Sequence, residues 1–154
     1  MRIFVTGTSG YIGGSIAAAL AAAGHEVSGL VRSQRSAELV RALGIAPVHG
    51  TLDDADVLRA AAVRADAVIN AANADHEPSA QALLGAIEGT GKAYIHTSGS
   101  SIVGTQSAGE RVDAVFDETT PINPSSGRAA RVAWNAHILS FEAKAFARSS
   151  FVQA

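Results

Sequence analysis

The sequence predicts an α/β protein in which helices cover both faces of a doubly wound parallel sheet, giving three layers in the order α, β, α. Short β-rich runs alternate with Ala/Leu-rich helical runs along the chain. Residues 3–5 (Ile-Phe-Val) and 67–69 (Ala-Val-Ile) are continuously apolar, as is typical of strands buried on both faces. Because alternating strands and helices form right-handed crossovers between parallel strands, the expected strand order is 3-2-1-4-5-6.

Turn and cap residues set the limits of these elements. Gly24 and Gly44 follow the first two helical runs, at the position where a helix commonly ends. Asp53 or Asp54 is suited to cap the third helix, and Pro78 lies in the first turn of the fourth. The predicted strands are residues 2–6, 26–31, 45–49, 66–71, 92–97 and 149–153. The predicted helices are residues 11–23, 33–43, 53–63, 78–89 and 127–147. Residues 99–126 lack a clear hydrophobic period, so we expect them to form a functional loop or lid.

Composition limits the classes of protein to which the chain can belong. It has 154 residues, the size of one domain, and its 47% hydrophobic and 17% charged residues exclude global disorder. The lack of cysteine excludes disulfides, thiolate metal sites and cysteine nucleophiles. A net charge of −2 gives no basic surface for nucleic acid, and no apolar run reaches the roughly 18 residues of a membrane span. We therefore expect a cytoplasmic protein without nucleic-acid, membrane or metal partners.

A glycine-rich turn between the first strand and the first helix is the strongest functional signal. Gly7, Gly10 and Gly13 are spaced as G-x-x-G-x-x-G, which in a βαβ unit is typical of the dinucleotide-binding Rossmann fold. The first glycine permits the tight turn, the second lets a pyrophosphate approach the backbone, and the third lets the helix pack on the strand. The alternative is a tight turn that binds no ligand. The predicted cofactor-binding residues of the turn are Gly7, Thr8, Ser9, Gly10, Tyr11, Ile12 and Gly13, and the N–H groups near residues 9–12 are expected to hold the phosphates.

The end of the second strand bears on the choice of dinucleotide. NAD sites usually have an aspartate or glutamate there, which binds the ribose 2′-hydroxyl. This chain has Arg32 and Ser33 instead, and an arginine can bind the 2′-phosphate of NADP. The sequence therefore favours NADP(H) over NAD(H), with a solvated Arg32 of no special role as the alternative.

Together with the glycine turn, three further segments resemble the short-chain dehydrogenase/reductase superfamily, in the extended or atypical branch known as the NAD-dependent epimerase/dehydratase family. Residues 49–53 (His-Gly-Thr-Leu-Asp) are similar to the family's adenine-contact motif, although Thr51 replaces its usual aspartate. Residues 66–72 and 94–100 resemble the family's fourth and fifth strands. The resemblance implies one NAD(P)-binding domain over residues 1–154, with further dinucleotide contacts at Thr51, Leu52, Ala71, Ala72 and Thr97.

The catalytic group departs from the family pattern. The family usually has a tyrosine and a lysine in Y-x-x-x-K, where the tyrosine polarises a carbonyl and moves a proton. Here those two positions hold Arg128 and Val132, so both functional groups are absent. The candidates that remain are Ser98, Ser100 and His96, at or near the end of the fifth strand and close to where a nicotinamide would lie.

The last predicted helix is apolar on more than one face, with one stripe formed by Trp134, Ile138 and Phe141. In the resembled family this helix and the fourth helix form a dimer interface, so we expect a homodimer through residues 78–89 and 127–147, with that stripe as its anchor.

Family members continue past the sixth strand into a substrate-binding part that this sequence lacks. A natural short form and a truncation both explain this.

Two functions are consistent with these features. The first is an NADP(H)-dependent oxidoreductase or epimerase/dehydratase-like enzyme that acts on a small carbonyl or alcohol. The alternative is a non-catalytic NADP(H)-binding protein with a regulatory or redox-sensing role, or an inactive truncated form. Both need the cofactor motifs, whereas the missing tyrosine and lysine favour the second.

Overall fold

A computed structural model describes residues 1–103, 109–111, 113, 115–117, 119–122 and 126–142 of the chain. The strands are β1 (Arg2–Thr6), β2 (Glu26–Val31), β3 (Ala46–His49), β4 (Ala67–Asn70) and β5 (Ala93–His96). The helices are α1 (Tyr11–Ala22), α2 (Gln34–Ala42), α3 (Ala55–Arg64), α4 (Glu77–Ile87) and α5 (Ala129–Glu142). Short 3₁₀ turns cover Ser100–Ile102 and Ser126–Arg128.

The five strands form one parallel sheet in the order β3-β2-β1-β4-β5. This confirms the predicted fold class and the first five places of the predicted order. The carboxyl ends of the three strands β1, β4 and β5 are in register, so that Thr6, Asn70 and His96 lie side by side. The predicted sixth strand, residues 149–153, lies outside the described residues, as do residues 143–147 of the predicted last helix.

The hydrophobic core has two halves, one on each face of the sheet. Phe4 and Val68 point to the face covered by α3, α4 and α5, whereas Val5 and Ile69 point to the face covered by α1 and α2. Because side chains alternate between faces along a strand, continuously apolar strands can serve both halves at once. This accounts for the apolar runs from which the three-layer arrangement was predicted.

The helix boundaries within the described residues differ from prediction by one or two residues, and side-chain caps fix two of the helix starts. Ser33 lies outside α2 as its N-cap, because its Oγ accepts a hydrogen bond from the backbone N–H of Ser36. His76 caps α4 in the same way, with its Nδ1 accepting from the N–H of Ser79. The predicted loop at residues 99–126 contains the first 3₁₀ turn, and the second 3₁₀ turn starts at its last residue, Ser126.

The apolar stripe predicted as a dimer anchor is a core element of this chain. Trp134 and Ile138 are only 6% and 5% exposed. They belong to the half of the core on the face covered by α3, α4 and α5, and Phe141 packs against that half. The expectation that these two side chains anchor an interface between copies is therefore wrong. The sequence showed two apolar stripes on the helix but not which of them faces the sheet.

No helix within the described ranges is long and apolar enough to cross a membrane. Among the same residues, no three His, Asp or Glu side chains come together in a way that could hold a metal ion.

Candidate functional site

A cleft lies at the carboxyl ends of the strands, where parallel sheets bind ligands. This cleft, of about 690 Å³, runs along the carboxyl edge of β1, β2 and β4. Its walls come from the glycine turn and from the loops after β2, β3 and β4. It is lined by Gly7, Ser9, Gly10, Tyr11, Ile12, Gly13, Leu30, Arg32, Thr51, Leu52, Asp53, Ala71, Ala72, Asn73 and His76.

Two glycines of the turn are required by close backbone approaches. Gly7 has φ +76°, and a Cβ there would lie 2.6 Å from the carbonyl oxygen of Ala71. A Cβ on Gly13 would lie 2.5 Å from the carbonyl oxygen of Gly7. Contacts this short with backbone atoms require the structure to shift, so α1 can approach the end of β1 only because these positions lack side chains.

The amino end of α1 opens into the cleft. Gly10 is its N-cap and supplies no side-chain hydrogen bond, so the N–H groups of the first turn are not capped by a side chain. The side chain of Tyr11 is 90% exposed and leaves the turn uncovered. Unpaired N–H groups and the positive end of the helix dipole favour an anion such as phosphate at this point.

Thr8 differs from its neighbours in the turn, because it does not line the cleft. It is 3% exposed, and its Oγ1 donates a hydrogen bond of 3.0 Å to the carbonyl oxygen of Leu30. Its side chain therefore ties the turn to β2. Thr8 therefore supports the turn from below, whereas the sequence grouped it with the residues that contact the cofactor.

The far end of the cleft is formed by the loops that follow β2 and β3. Arg32 lines the cleft with an exposed side chain that makes no hydrogen bond or ion pair to any residue the structure describes. Ser33 does not line the cleft, because its hydroxyl caps α2. Of the two residues predicted to bind a 2′-phosphate, only Arg32 has its polar group available at the cleft.

Residues after β3 and β4 are joined across the cleft wall. Thr51 donates its N–H and its hydroxyl to Asp54, at 2.7 and 2.9 Å, and the backbone hydrogen bond is the main cause that lowers the pKa of Asp54. His76 lies 3.2 Å from Asp53 through its Nε2, while its Nδ1 accepts from Ser79. Since Nδ1 accepts a hydrogen bond, the proton of a neutral His76 is on Nε2, facing Asp53. His76 therefore joins the loop after β3 to the start of α4 beside the cleft.

A buried polar network lies under the carboxyl ends of β1, β4 and β5. The hydroxyl of Thr6 accepts from the N–H of Ala71 and donates to Oδ1 of Asn70 at 2.6 Å. The Nδ2 of Asn70 is then the donor to the hydroxyl of Tyr94 and to Nδ1 of His96, at 3.2 and 3.3 Å. The network therefore places the proton of a neutral His96 on Nε2.

Burial keeps His96 neutral. The side chain is 4% exposed, and desolvation lowers its pKa, with the Ala74 backbone and the Asp75 carboxylate opposing that shift. The Nε2 atom has no hydrogen-bond partner in the described part of the chain. Desolvation also raises the pKa of Tyr94 well above its ordinary range. Both side chains are thus neutral hydrogen-bonding groups near pH 7.

The other candidate catalytic residues occupy different surroundings. Ser98 is 7% exposed and accepts a hydrogen bond of 2.9 Å from Nδ2 of Asn135 on α5. Ser100 is exposed at the start of the first 3₁₀ turn. Thr97 continues the sheet, since its N–H donates to the carbonyl of Asn70, and it does not line the cleft. The structure therefore does not bring His96, Ser98 and Ser100 together on one exposed surface.

Two arginines of the last helical segment join it to the loops beside the cleft. Arg131 makes a two-pronged ion pair with Asp75, in which Nε lies 2.6 Å from Oδ1 and Nη2 also contacts Oδ2. Its Nη1 donates to the hydroxyl of Ser101 at 3.2 Å, and Arg128 donates to the carbonyl of Ser101 at 2.6 Å. The hydrogen bond from Arg131 is the main cause that lowers the pKa of Asp75. Sequence reasoning missed these contacts because they join residues far apart in the chain.

The sheet order and the open glycine turn define a domain of the Rossmann fold, and solved structures of the same fold include a short-chain dehydrogenase/reductase superfamily protein and a UDP-glucose 4-epimerase. The sequence model of the NmrA-like family matches residues 1–153, and the chain belongs to that family.

Relatives and solved structures agree with this placement. The chain is 45% identical over 130 residues to Oxidase ucsJ of an Acremonium species, covering 76% of this chain and 37% of the relative. It is 44% identical over 72 residues to a farnesyl-dihydroquinoline-oxide ketoreductase of Stigmatella aurantiaca, covering 47% of this chain and 22% of the relative. A short-chain dehydrogenase/reductase superfamily protein from Agrobacterium tumefaciens, solved with NAD bound, matches 99% of this chain and 48% of its own with TM-score 0.73 and 21% identity. The chain spans between 22% and 44% of the lengths of the curated relatives it matches.

Proposed function

We propose that this chain binds NADP(H), in preference to NAD(H), and takes part in oxidation or reduction of a small carbonyl or alcohol. The observation that carries the proposal is the glycine turn, which presents the uncapped amino end of α1 to a cleft of about 690 Å³. The names of the relatives, an oxidase and a ketoreductase, support an oxidoreductase. The dinucleotide, when bound, supplies or takes up a hydride.

The residues of the cleft fit a dinucleotide in shape and charge. Gly7 and Gly13 let the backbone of the turn pack closely against its neighbours, which supports the tight turn of a dinucleotide site. Arg32 offers an unpaired guanidinium at the other end, where a 2′-phosphate would lie. No carboxylate lines the cleft beside Arg32, whereas an NAD site typically has one to bind the ribose hydroxyls. Asp53, the one acidic lining residue, faces His76 instead.

The candidate catalytic residues have distinct roles in this proposal. Ser100 is the exposed one of the three, which favours it over the other two as the group that contacts a substrate oxygen. His96 and Ser98 are buried and hydrogen-bonded, which supports a positioning role for both. Arg128 holds a permanent charge, so it can stabilise a negative oxygen but cannot give up a proton as a tyrosine acid does.

A second candidate function is a non-catalytic, dinucleotide-dependent sensor. It is favoured by Arg128 and Val132 at the positions of the tyrosine and lysine, and by the burial of His96 and Ser98. A sensor needs the cleft but not an exposed proton donor. Binding without turnover of any carbonyl substrate would support this second function over the first.

The larger organisation of the protein belongs to the proposal as well. We propose that residues 1–154 act as one NAD(P)-binding domain, that copies associate through the region of α4 and α5, and that the protein works in the cytoplasm.

The proposal is tested by titrating NADPH and NADH into the full chain and following the fluorescence of the reduced nicotinamide. We expect tighter binding of NADPH, and we expect Arg32→Ala to weaken NADPH binding by about tenfold or more while changing NADH binding little, since one charge-assisted contact to phosphate is lost. Arg41→Ala, an exposed arginine in the last turn of α2, is the matched control. Equal affinities for the two dinucleotides, or the same preference in Arg32→Ala, would contradict the NADP(H) assignment.

A further inference from the structure

A second cavity lies beside the nucleotide cleft and shares a wall with it. It measures about 390 Å³ and is lined by Asp75, Glu77, Ser101, Gly127, Arg128, Ala130, Arg131 and Trp134. The wall between the two cavities is the short segment before and at the start of α4. His76 lines the nucleotide cleft, whereas its neighbours Asp75 and Glu77 line the second cavity.

The charged groups of this cavity are not equivalent. Asp75 and Arg131 neutralise each other in their two-pronged ion pair, and Arg131 gives its remaining Nη1 contact to Ser101. Arg128 donates one N–H of its guanidinium to the carbonyl of Ser101 and has no carboxylate partner among the residues described. Glu77 is exposed in the first turn of α4. The half-buried cation that has donors left for a ligand is therefore Arg128.

The apolar side of the cavity is the indole of Trp134. The side chain is 6% exposed and packed in the core, so the wall that it forms is fixed. Its Nε1–H has no acceptor within the described ranges, although buried N–H groups of native proteins nearly always have one.

We propose that this cavity binds the substrate of the dinucleotide-dependent reaction, and that the substrate has a flat apolar part against Trp134 and a carboxylate or carbonyl oxygen at Arg128. The inference rests on the proposed function, because only a bound dinucleotide gives the neighbouring cavity its role. A guanidinium binds such oxygens through charge-assisted hydrogen bonds. A cavity of this size beside the cleft is suited to a small molecule that combines apolar contact with a few polar contacts.

Trp134 gives a direct optical test, because it is the one tryptophan of the sequence. Benzoate, which combines an aromatic ring with a carboxylate, is titrated into the full chain while tryptophan fluorescence is recorded, with and without NADP⁺. We expect saturable quenching by benzoate and much weaker quenching by benzylamine. We expect Arg128→Met to weaken benzoate binding by about tenfold or more and Arg128→Lys to weaken it less, since the charge is kept.

The controls separate this cavity from the nucleotide cleft and from the fold. Arg35→Met removes an exposed arginine on α2, which covers the other face of the sheet, and should leave benzoate binding unchanged. Circular dichroism and thermal unfolding show whether each variant is folded. Glu77→Gln should keep benzoate binding or strengthen it, because it removes a negative charge from the cavity.

The possible results divide clearly. Quenching that is not saturable, or that is equal in the wild type and a folded Arg128→Met, would overturn the proposal, as would tighter binding of benzylamine that Glu77→Gln abolishes. NADP⁺ affinity is measured separately in each variant and should not change in Arg128→Met. Benzoate binding with the expected dependence on Arg128, in a protein that binds no dinucleotide, would support the ligand site while contradicting the proposed function.

Discussion

At the scale of single residues, the absence of one carbon atom at Gly13 sets how closely α1 approaches β1. The nearest atoms to a Cβ at Gly13 are backbone atoms of Gly7 and Thr6, between 2.5 and 2.9 Å away. Backbone cannot rotate aside as a flexible side chain can, so the helix would have to move out. That movement would also displace the first-turn N–H groups from the cleft, which links packing at Gly13 to phosphate binding.

We therefore expect Gly13→Ala to destabilise the fold by about 1–3 kcal/mol, the usual cost of overpacking, and to weaken NADPH binding by about tenfold or more. Thermal unfolding and NADPH fluorescence titration measure the two effects. Gly85→Ala is the matched control, because Gly85 lies within α4 with open space around its Cβ position. This control should gain roughly 0.5–1 kcal/mol, since alanine is the better helix former. Wild-type affinity in Gly13→Ala would contradict the close-approach argument.

At the scale of the elements, an ion pair fastens the starts of β1 and β4. Arg2 lies 2.6 Å from Asp66 through Nη2, and the backbone N–H of Arg2 also donates to the Asp66 carboxylate at 2.8 Å. The side-chain hydrogen bond from Arg2 is the main cause that lowers the pKa of Asp66 to about 2. Because the carboxylate has its ordinary, higher pKa in the unfolded chain, the pair adds stability above about pH 4 and loses it as the pH falls toward 2.

The expected outcome is a lower melting temperature for Asp66→Asn at pH 7 and a difference from the wild type that vanishes near pH 2. Calorimetry across this pH range measures it. Asp56→Asn, which breaks an exposed pair with Arg59 within α3, should change the melting temperature little at any pH. A difference between Asp66→Asn and the wild type that persists undiminished at pH 2 would show that the carboxylate acts through something other than its charge.

The elements also show what the sequence could and could not predict. The parallel strands and their order can be predicted from local signals, because each apolar run or glycine turn lies within one short segment of the sequence. The role of Ser33 depends on its turning back to Ser36, and the role of Arg131 depends on Asp75, which approaches it only through the fold. The order of the sheet was thus predictable, whereas contacts between distant loops were not.

The same distinction holds for the candidate site. The glycine turn and Arg32 were predicted from their position after a strand, and both line the cleft. Asn73 and His76 were not, because no motif marks them, and His76 meets Asp53 only through the fold. The network that links Thr6 to His96 likewise needs the register of neighbouring strands, which no single segment contains.

At the scale of the whole molecule, the burial of Trp134 and Ile138 leaves a different surface for self-association. α5 keeps Leu139 at its outer side, with 39% of the residue exposed, among exposed alanines. α4 is mostly buried, and its exposed positions are polar or small, such as Gln81 and Gly85. An interface between two copies through these helices would therefore be a close contact of small side chains around Leu139, and a two-fold axis would bring each copy of Leu139 near the other.

We expect multi-angle light scattering at micromolar concentration to give the mass of a dimer and Leu139→Glu to give that of a monomer, since a charge would be buried at the centre of the contact. Leu39→Glu is the matched control: it places the same charge on α2, at a leucine that is 59% exposed on the opposite side of the sheet, and it should leave the dimer intact. Ile138→Glu is unsuitable as a test because it would disrupt the core of each copy. A monomeric wild type, or a dimer that survives Leu139→Glu, would show that α5 meets no second copy and that Leu139 is an ordinary exposed leucine.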